Sequence, residues 1–271
     1  MLFQSNHPNL CNMHYFFTTP ERLYFVMPLI VGGDLSVRLK QKNDNFSEHA
    51  IKFYITQVLL GLKVLHNNNL IHRDLKLQNL MIDERGFLKI IDFGISRKLG
   101  TWGEKSTTFC GTAEYIAPEV IMETGYSFSA DIWSVGILMY EMRFGVTPFK
   151  HQNKNIQNSQ ICNEPLNWPS QARQPRSAEF EQLVSSLLNK DKTGRPQTPD
   201  EVLEHDWFPK GAELEAIAGQ VEDIQSVLSE ETWGTMPPIV PAPVDENDES
   251  TWEHFDLKKG SRALKETVLS T

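Results

Sequence analysis

Two acidic residues lie inside short motifs whose composition suits the chemistry of phosphate groups. Asp74 belongs to the segment 72–79, HRDLKLQN, and Asp92 begins the tripeptide DFG. Phosphoryl transfer requires a carboxylate that faces the acceptor hydroxyl, oxygen ligands that hold magnesium against the phosphates, and positive charge beside the transferring group. Asp74, Asn79, Asp92 and Lys76 supply these groups, so their types and order predict a site for phosphoryl transfer.

The residues between the two motifs predict how they are brought together. Apolar runs at 80–82 and 87–91 flank the turn sequence DERG at 83–86. This pattern predicts a β-hairpin. The residues just before and just after a hairpin lie at the same end of it, so the two motifs are expected on neighbouring loops.

A third motif follows at 107–119, with the sequence TTFCGTAEYIAPE. It resembles the end of a protein kinase activation segment, and its Phe-Cys-Gly-Thr core resembles the AGC group of Ser/Thr kinases. Together the three motifs identify the chain as similar to a eukaryotic Ser/Thr protein kinase, AGC-like. Lys76 two residues after Asp74, with Thr112 downstream, favours Ser/Thr over Tyr as the acceptor.

The resemblance implies a role for each motif residue. Asp74 would be the base or positioning carboxylate, Lys76 would neutralise charge, and Asn79 and Asp92 would bind Mg²⁺. Thr108 is predicted to be the activating phosphosite, because Arg73 and Arg97 could bind a phosphate there, and Ser106 and Thr107 are the alternatives. The resemblance also implies residues of structural support, which are His72, Arg73, Phe93, Glu119, Asp131 and Arg195.

The same resemblance implies a fold and a nucleotide site. The fold would be α+β and bilobal, with a mainly helical large lobe and a truncated β small lobe. Residues 22–27 are predicted to form a strand, and 28–35 a linker between the lobes that binds adenine through main-chain groups. The implied ATP-binding residues are Met27, Pro28, Ile30, Asp34 and Met81, with Met27 as gatekeeper or, alternatively, as an ordinary core residue.

Two long helices are predicted in the large lobe. Ser47 is a candidate N-cap for a helix that ends near 67–69, and Ser129 for a second helix that is apolar on nearly every face. Asp131 opens that second helix and, by resemblance, would anchor the backbone of the catalytic loop. Arg195 would form a bidentate bond with Glu119.

Charge and composition divide the chain. The net charge is −9 over 271 residues, and segment 210–271 carries 13 acidic and 5 basic residues, a balance of −8. The predicted domains are a small-lobe remnant with hinge (1–31), a catalytic lobe (32–209) and an acidic AGC-like tail (210–271). In the tail, Phe255 would approach the nucleotide. A disordered acidic linker is the alternative for the tail.

Composition also bears on location and partners. We expect no transmembrane run and no secretory signal, and three scattered cysteines suit the cytosol or nucleus. The net acidity argues against a nucleic-acid binder. A protein substrate and an upstream activating kinase are the implied partners, with ATP and Mg²⁺ as the implied cofactors.

The sequence contains no Gly-rich phosphate loop, strand lysine or helix glutamate of the kinase small lobe. The chain as given is therefore expected to transfer phosphate poorly. The alternative is a non-catalytic kinase-like scaffold that binds partners. Such scaffolds often lack Asp74, Asn79 or Asp92, and the presence of all three favours an enzyme. Gln78 and Ser159 stand where related kinases carry acidic residues, which leaves a preference for basic substrates open.

Overall fold

The computed structural model describes residues 7–18, 22–43, 45–99, 111–125, 127–169 and 176–211. These residues form two compact units, a smaller one that contains 12–28 and a larger one that contains 7–11 and the described residues from 29 onward. The strands are β1 Tyr15–Thr18, β2 Leu23–Val26, β3 Leu70–Ile71, β4 Leu80–Ile82, β5 Leu88–Ile90 and β6 Arg97–Lys98. The helices are α1 Leu35–Gln41, α2 Glu48–Asn67, α3 Pro118–Ile121, α4 Ser129–Phe144, α5 Lys154–Asn163, α6 Ala178–Leu187 and α7 Pro199–Leu203.

The smaller unit is built on one antiparallel hairpin. Strands β1 and β2 pair with Tyr15 opposite Val26 and Phe17 opposite Tyr24. The rings of Phe17 and Tyr24 stack with centroids 4.7 Å apart. The strand predicted at 22–27 is confirmed.

Helix α2 is the first long element of the larger unit. The Ser47 hydroxyl accepts a hydrogen bond from the Ala50 amide, which is the N-cap that the sequence predicted. The middle of the helix is buried on all sides, since residues 53–59 are all buried, and Ile51 and Leu62 extend the buried surface toward its ends. The helix ends at Asn67 as expected, and it delivers the chain to strand β3 and the catalytic loop.

Helix α4 is buried on nearly all sides, with Ile132, Trp133 and Ile137 inaccessible to solvent. The prediction of its N-cap was wrong, because the residue at the cap is Phe128 and Ser129 is the first helical residue. The turn tightens one residue earlier than expected, since the Asp131 amide already donates to the Phe128 carbonyl. No side chain caps this end.

The predicted hairpin at 80–91 is confirmed. Strands β4 and β5 pair with Leu80 opposite Ile90, and the Asp83 carboxylate accepts the amides of Arg85 and Phe87 to close the turn. Leu10 forms a parallel bridge to Ile90, which joins segment 7–11 to the larger unit.

The larger unit is mainly helical with short antiparallel strand pairs. Across the parts of the chain that the structure describes, no helix has the length and apolar character needed to cross a membrane. Thr108 and the acidic tail from 212 onward, including Phe255, lie outside the described residues.

Candidate active site

The β4–β5 hairpin brings the first two motifs together. The Ile91 amide donates to the Asn79 carbonyl at 2.9 Å, one step beyond the Leu80–Ile90 pair. Asn79 enters the hairpin and Asp92 leaves it at the same end. The two predicted magnesium ligands therefore lie on adjacent segments, as the sequence pattern indicated.

The Asp74 carboxylate is the centre of a hydrogen-bond network. Its Oδ2 accepts from Lys76 Nζ at 2.6 Å and from Asn79 Nδ2 at 3.1 Å. Its Oδ1 accepts from the Thr112 amide at 3.0 Å and the Thr112 hydroxyl at 2.6 Å. Lys76 Nζ also donates to the Thr112 hydroxyl at 2.9 Å, so the network is closed.

This network sets the protonation state of Asp74. Burial by itself would raise the pKa of the carboxyl, but the hydrogen bonds from Lys76, Thr112 and Asn79 and the charge of Lys76 outweigh it and lower the pKa. Asp74 is therefore ionised at neutral pH. A carboxylate with a lowered pKa is a weak base, so it is better suited to orienting a hydroxyl donor than to removing its proton early.

Thr112 is the site residue whose contacts the sequence did not reveal. The sequence predicted only that Thr112 favours a Ser/Thr acceptor, and the structure shows that its amide and hydroxyl both donate to Asp74. The preceding Gly111 has φ +106°, and a Cβ there would lie 2.7 Å from the Arg73 carbonyl oxygen. The Gly-Thr dipeptide within the third motif was the available signal, because only glycine permits this close approach.

Asp131 holds the backbone of the catalytic loop. Its Oδ2 accepts the His72 amide and its Oδ1 accepts the Arg73 amide, each at 2.9 Å. His66 Nε2 lies 2.9 Å from the same carboxylate, a partner that the sequence analysis missed. Burial would raise the pKa of Asp131, but the bond and charge of His66 and further contacts lower it. The anchoring geometry expected from the resemblance is present. The bond to the Arg73 amide helps to hold that residue in the left-handed backbone conformation, with φ 73°.

His72 is a buried residue of the catalytic loop that contacts both motifs. Burial lowers its pKa despite the nearby carboxylates, so the imidazole is neutral at physiological pH. Nδ1 accepts the Asp74 amide at 3.3 Å, which leaves Nε2 to donate to the Ile91 carbonyl at 3.1 Å. Its ring meets Phe93 edge to face with centroids 5.3 Å apart. His72 thus connects the first motif to the second.

The oxygen atoms near the hairpin end fit a magnesium ion shared with phosphates. The Asn79 amide nitrogen donates to the Asp74 carbonyl at 2.8 Å and to its carboxylate, which leaves the amide oxygen as a ligand atom. Asp92 is exposed, has φ 59°, and uses Oδ1 to accept the Gly94 amide at 3.1 Å. Mg²⁺ prefers few protein oxygens and keeps positions for water and phosphate, and these two side chains match that preference.

The predicted nucleotide residues divide between the two units. In the larger unit, Ile30 is buried, and the backbone of Asp34 forms an isolated antiparallel β-bridge with that of Met81. Met27 and Pro28 belong to the smaller unit, and both are exposed. Met27 has 53% of its surface accessible, so it does not have the burial of an ordinary core residue.

The third motif is bonded to the segment that precedes helix α7. Arg195 donates to the two Glu119 carboxylate oxygens at 2.9 and 2.6 Å, and its Nη1 also donates to the Ser129 carbonyl at 2.8 Å. Both side chains are buried, with 0% and 3% accessible. The bidentate geometry is as predicted.

Comparison with known proteins agrees with this geometry. A family model described as "Protein kinase domain" matches residues 1–208. Ribosomal protein S6 kinase alpha-6 of Danio rerio and ribosomal protein S6 kinase alpha-1 of Homo sapiens are each 37% identical over 212 residues, covering 77% of this chain and 28% of the relative. A probable serine/threonine-protein kinase of Dictyostelium discoideum is 33% identical over 264 residues, covering 97% of this chain and 54% of the relative.

The chain thus spans between about a quarter and a half of the length of these relatives. The family match confirms the predicted fold class, α+β and protein-kinase-like, which the mainly helical larger unit and short strand pairs display. The chain therefore belongs to the protein kinase family, in the AGC group of serine/threonine kinases.

Proposed function

We propose that this chain provides the catalytic site of a Ser/Thr protein kinase that transfers the γ-phosphoryl group of ATP to protein hydroxyls. One observation carries the proposal most strongly. The Asp74 carboxylate is kept ionised by Lys76, Asn79 and Thr112, at the end of the hairpin from which Asp92 emerges.

Each side chain has a distinct task in this reaction. Asp74 accepts the hydrogen bond of the acceptor hydroxyl and receives its proton as the bond to phosphorus forms. Lys76, already 2.6 Å from Asp74, offers positive charge beside the transferring group. Asn79 and Asp92 would hold Mg²⁺, which when bound neutralises the phosphate oxygens. The linker residues Pro28 and Ile30, with Asp34, Met81 and Met27, would bind the nucleotide.

The test separates the two carboxylates. Asp74→Asn should retain Mg²⁺-dependent nucleotide binding and lower the rate of transfer by about two to three orders of magnitude, because a positioned charge is lost. Asp92→Asn should weaken the Mg²⁺-dependent part of nucleotide binding itself. Nucleotide affinity and single-turnover transfer to a Ser/Thr peptide mixture are measured for both variants and the parent.

The assay is run on residues 1–271 and on a version with a related kinase small lobe joined upstream. We expect slow transfer by the first, since the Gly-rich loop and Lys–Glu pair are not in this sequence, and each such electrostatic element contributes about two orders of magnitude. Equal transfer by Asp74→Asn and the parent in the extended version would contradict the proposal.

Thr108 is proposed as the activating phosphosite, modified by an upstream kinase. Strand pairing places Arg97 opposite Ile71, two residues before Arg73, so two cations lie on neighbouring segments of the larger unit. A phosphate on Thr108 can bind such guanidinium groups through charge-assisted hydrogen bonds. Thr108→Ala should lower transfer several-fold, and the neighbouring Thr107→Ala is the control. An active preparation without phosphate on Thr108 would rule the assignment out.

The acidic tail and the location complete the proposal. The Dictyostelium match covers 97% of the chain and so includes most of segment 210–271, which supports an AGC-like tail there. The three cysteines are scattered along the sequence without metal-ligand spacing, which supports a cytosolic or nuclear location.

A further inference from the structure

Arg38 on helix α1 is a buried cation that the roles proposed above do not use. Only 8% of its surface is accessible, and its Nε and Nη2 both donate to the Gly32 carbonyl, at 3.3 and 3.2 Å. None of the ion pairs among the described residues includes Arg38. Burial lowers its pKa, with Tyr54 acting in the opposite direction.

A buried charge without an opposite charge is costly, because desolvation is offset only by its hydrogen bonds. An apolar side chain of similar length could fill the same space at lower cost. The position of Arg38 is therefore best explained by the carbonyl that it binds.

That carbonyl belongs to a segment with little tolerance for movement. The Gly32 amide donates to the Ile82 carbonyl at 2.8 Å, and the Ile82 amide donates to the Gly33 carbonyl at 3.0 Å. A Cβ on Gly32 would lie 2.3 Å from the Ile82 oxygen, so this approach to β4 requires glycine. The Gly32 carbonyl is not used by β4, and Arg38 binds it.

The next residue, Asp34, is also tied to α1. Its Oδ1 accepts the amides of Ser36 and Val37 at 2.9 and 3.1 Å and the Ser36 hydroxyl at 2.5 Å. Segment 32–34 is thus attached to β4 by backbone pairing and to α1 by a cap and by Arg38. Asp34 of the nucleotide site ends this segment, and Ile30 lies two residues before it.

We propose that Arg38 is a positioning residue for the nucleotide: it fixes the Gly32 carbonyl so that the linker main chain near Ile30 and the Asp34 carboxylate are held in place before the nucleotide binds. The inference rests on the proposed function for its nucleotide. The expected consequence of losing Arg38 is weaker nucleotide binding with an unchanged chemical step. Preorganisation of this kind acts on affinity, because the ordering cost is otherwise met on binding.

The experiment compares Arg38→Met, Arg38→Lys and the control Arg143→Met. Arg143 is a second buried arginine, 2% accessible, whose Nη1 donates to the Phe46 carbonyl. Amide hydrogen exchange is measured without nucleotide at Gly32 and Ile82, with Ile90 as the internal reference, since its amide is bonded to the Asn9 carbonyl at 2.9 Å. Nucleotide affinity, KM for ATP and kcat are measured on the version with the upstream small lobe.

Arg38→Met should raise exchange at Gly32 and Ile82 about tenfold or more, as expected when a hydrogen bond to a charged group is lost, and leave Ile90 unchanged. KM for ATP and the nucleotide Kd should rise about five- to tenfold with kcat within about twofold. Arg38→Lys should recover part of both effects, because one charged donor remains. Arg143→Met should move neither.

Two results would overturn the inference. One is unchanged exchange at Gly32 and Ile82 in Arg38→Met. The other is faster exchange with unchanged nucleotide affinity, which would make Arg38 a purely structural residue while the proposed function stands. A parent protein that neither binds nucleotide nor transfers phosphate, while Arg38→Met still accelerates exchange, would instead refute the proposed function.

Discussion

The catalytic-loop region and the β1–β2 hairpin differ in which side chains they bury and which they expose. Around the catalytic loop, polar residues are buried and each is matched with partners: His72 is inaccessible, and Asp131 and Asn79 are 1% and 5% accessible. On the hairpin, large apolar residues are exposed, with Tyr15 48% and Phe25 55% accessible. Buried polar groups are favourable only when hydrogen-bonded, and the loop meets that condition.

The difference shows which region depends on its surroundings. The catalytic loop is held by contacts within the larger unit, because Asn79 at the end of the β4–β5 hairpin, Thr112 and Asp131 all supply partners there. The β1–β2 hairpin has apolar side chains on both faces, since Tyr15 and Val26 share one face and Phe25 lies on the other. A two-stranded hairpin is marginal without a covering layer, so its stability depends on what packs against it.

Three predictions sharpen this comparison, and the first concerns the buried Glu119–Arg195 pair of the larger unit. Arg195→Met should lower the free energy of unfolding by about 3–5 kcal/mol, because it leaves the Glu119 carboxylate buried and unpaired. The control is Lys63→Met, which breaks the exposed pair with Asp200 and should cost no more than about 1 kcal/mol. Chemical denaturation of both variants measures the difference. Similar losses for the two would show that burial of the pair is unimportant.

The second prediction concerns pH. Glu48 accepts the Ser177 amide and hydroxyl at 2.7 Å each and Trp207 Nε1 at 2.9 Å. Burial would raise its pKa, but the bonds from Ser177 and Trp207, with the charge of Arg143, lower it below 4.5. A lowered folded pKa gives stability that is present above the unfolded value and is lost as pH falls through the folded value.

Glu48→Gln should therefore cost about 2 kcal/mol near pH 7, the scale of a hydrogen bond to a charged group. The gap between variant and parent should narrow as pH falls below the unfolded value of 4.5. Denaturation at several pH values measures it, and Glu84→Gln in the exposed β4–β5 turn is the control. A gap that stays constant with pH would contradict the assignment.

The third prediction has the smallest effect on stability. Phe25→Thr keeps a residue that favours strands and should change the free energy of unfolding by about 0.5 kcal/mol or less. We expect the parent to self-associate through the exposed apolar side chains of the hairpin, and Phe25→Thr should reduce that association in sedimentation velocity. The control is buried Phe180→Ala, which should cost about 3–5 kcal/mol. Unchanged self-association in Phe25→Thr would show that the exposed ring does not contribute to it.

Much of the local structure was predictable. The α2 cap at Ser47 and the 80–91 hairpin agree with the local sequence patterns. The Glu119–Arg195 pair, which joins distant segments, agrees with the family resemblance. The N-cap at Ser129 was wrong because a tight turn through Phe128 starts the helix with no side-chain cap. Sequence could not predict such a turn, since it depends on backbone geometry that many residues allow.

The sequence by itself determined the residue types at the site and the elements that carry them, because helical periodicity, capping and hairpin pairing act over a few neighbouring residues. The resemblance gave the role of Asp131 and the Glu119–Arg195 pair, and only the tertiary structure decided the other partners. Thr112 reaches Asp74 across 38 positions, and His66 reaches Asp131 across 65. Contacts over such separations depend on how packed elements meet in three dimensions, and no local pattern encodes that.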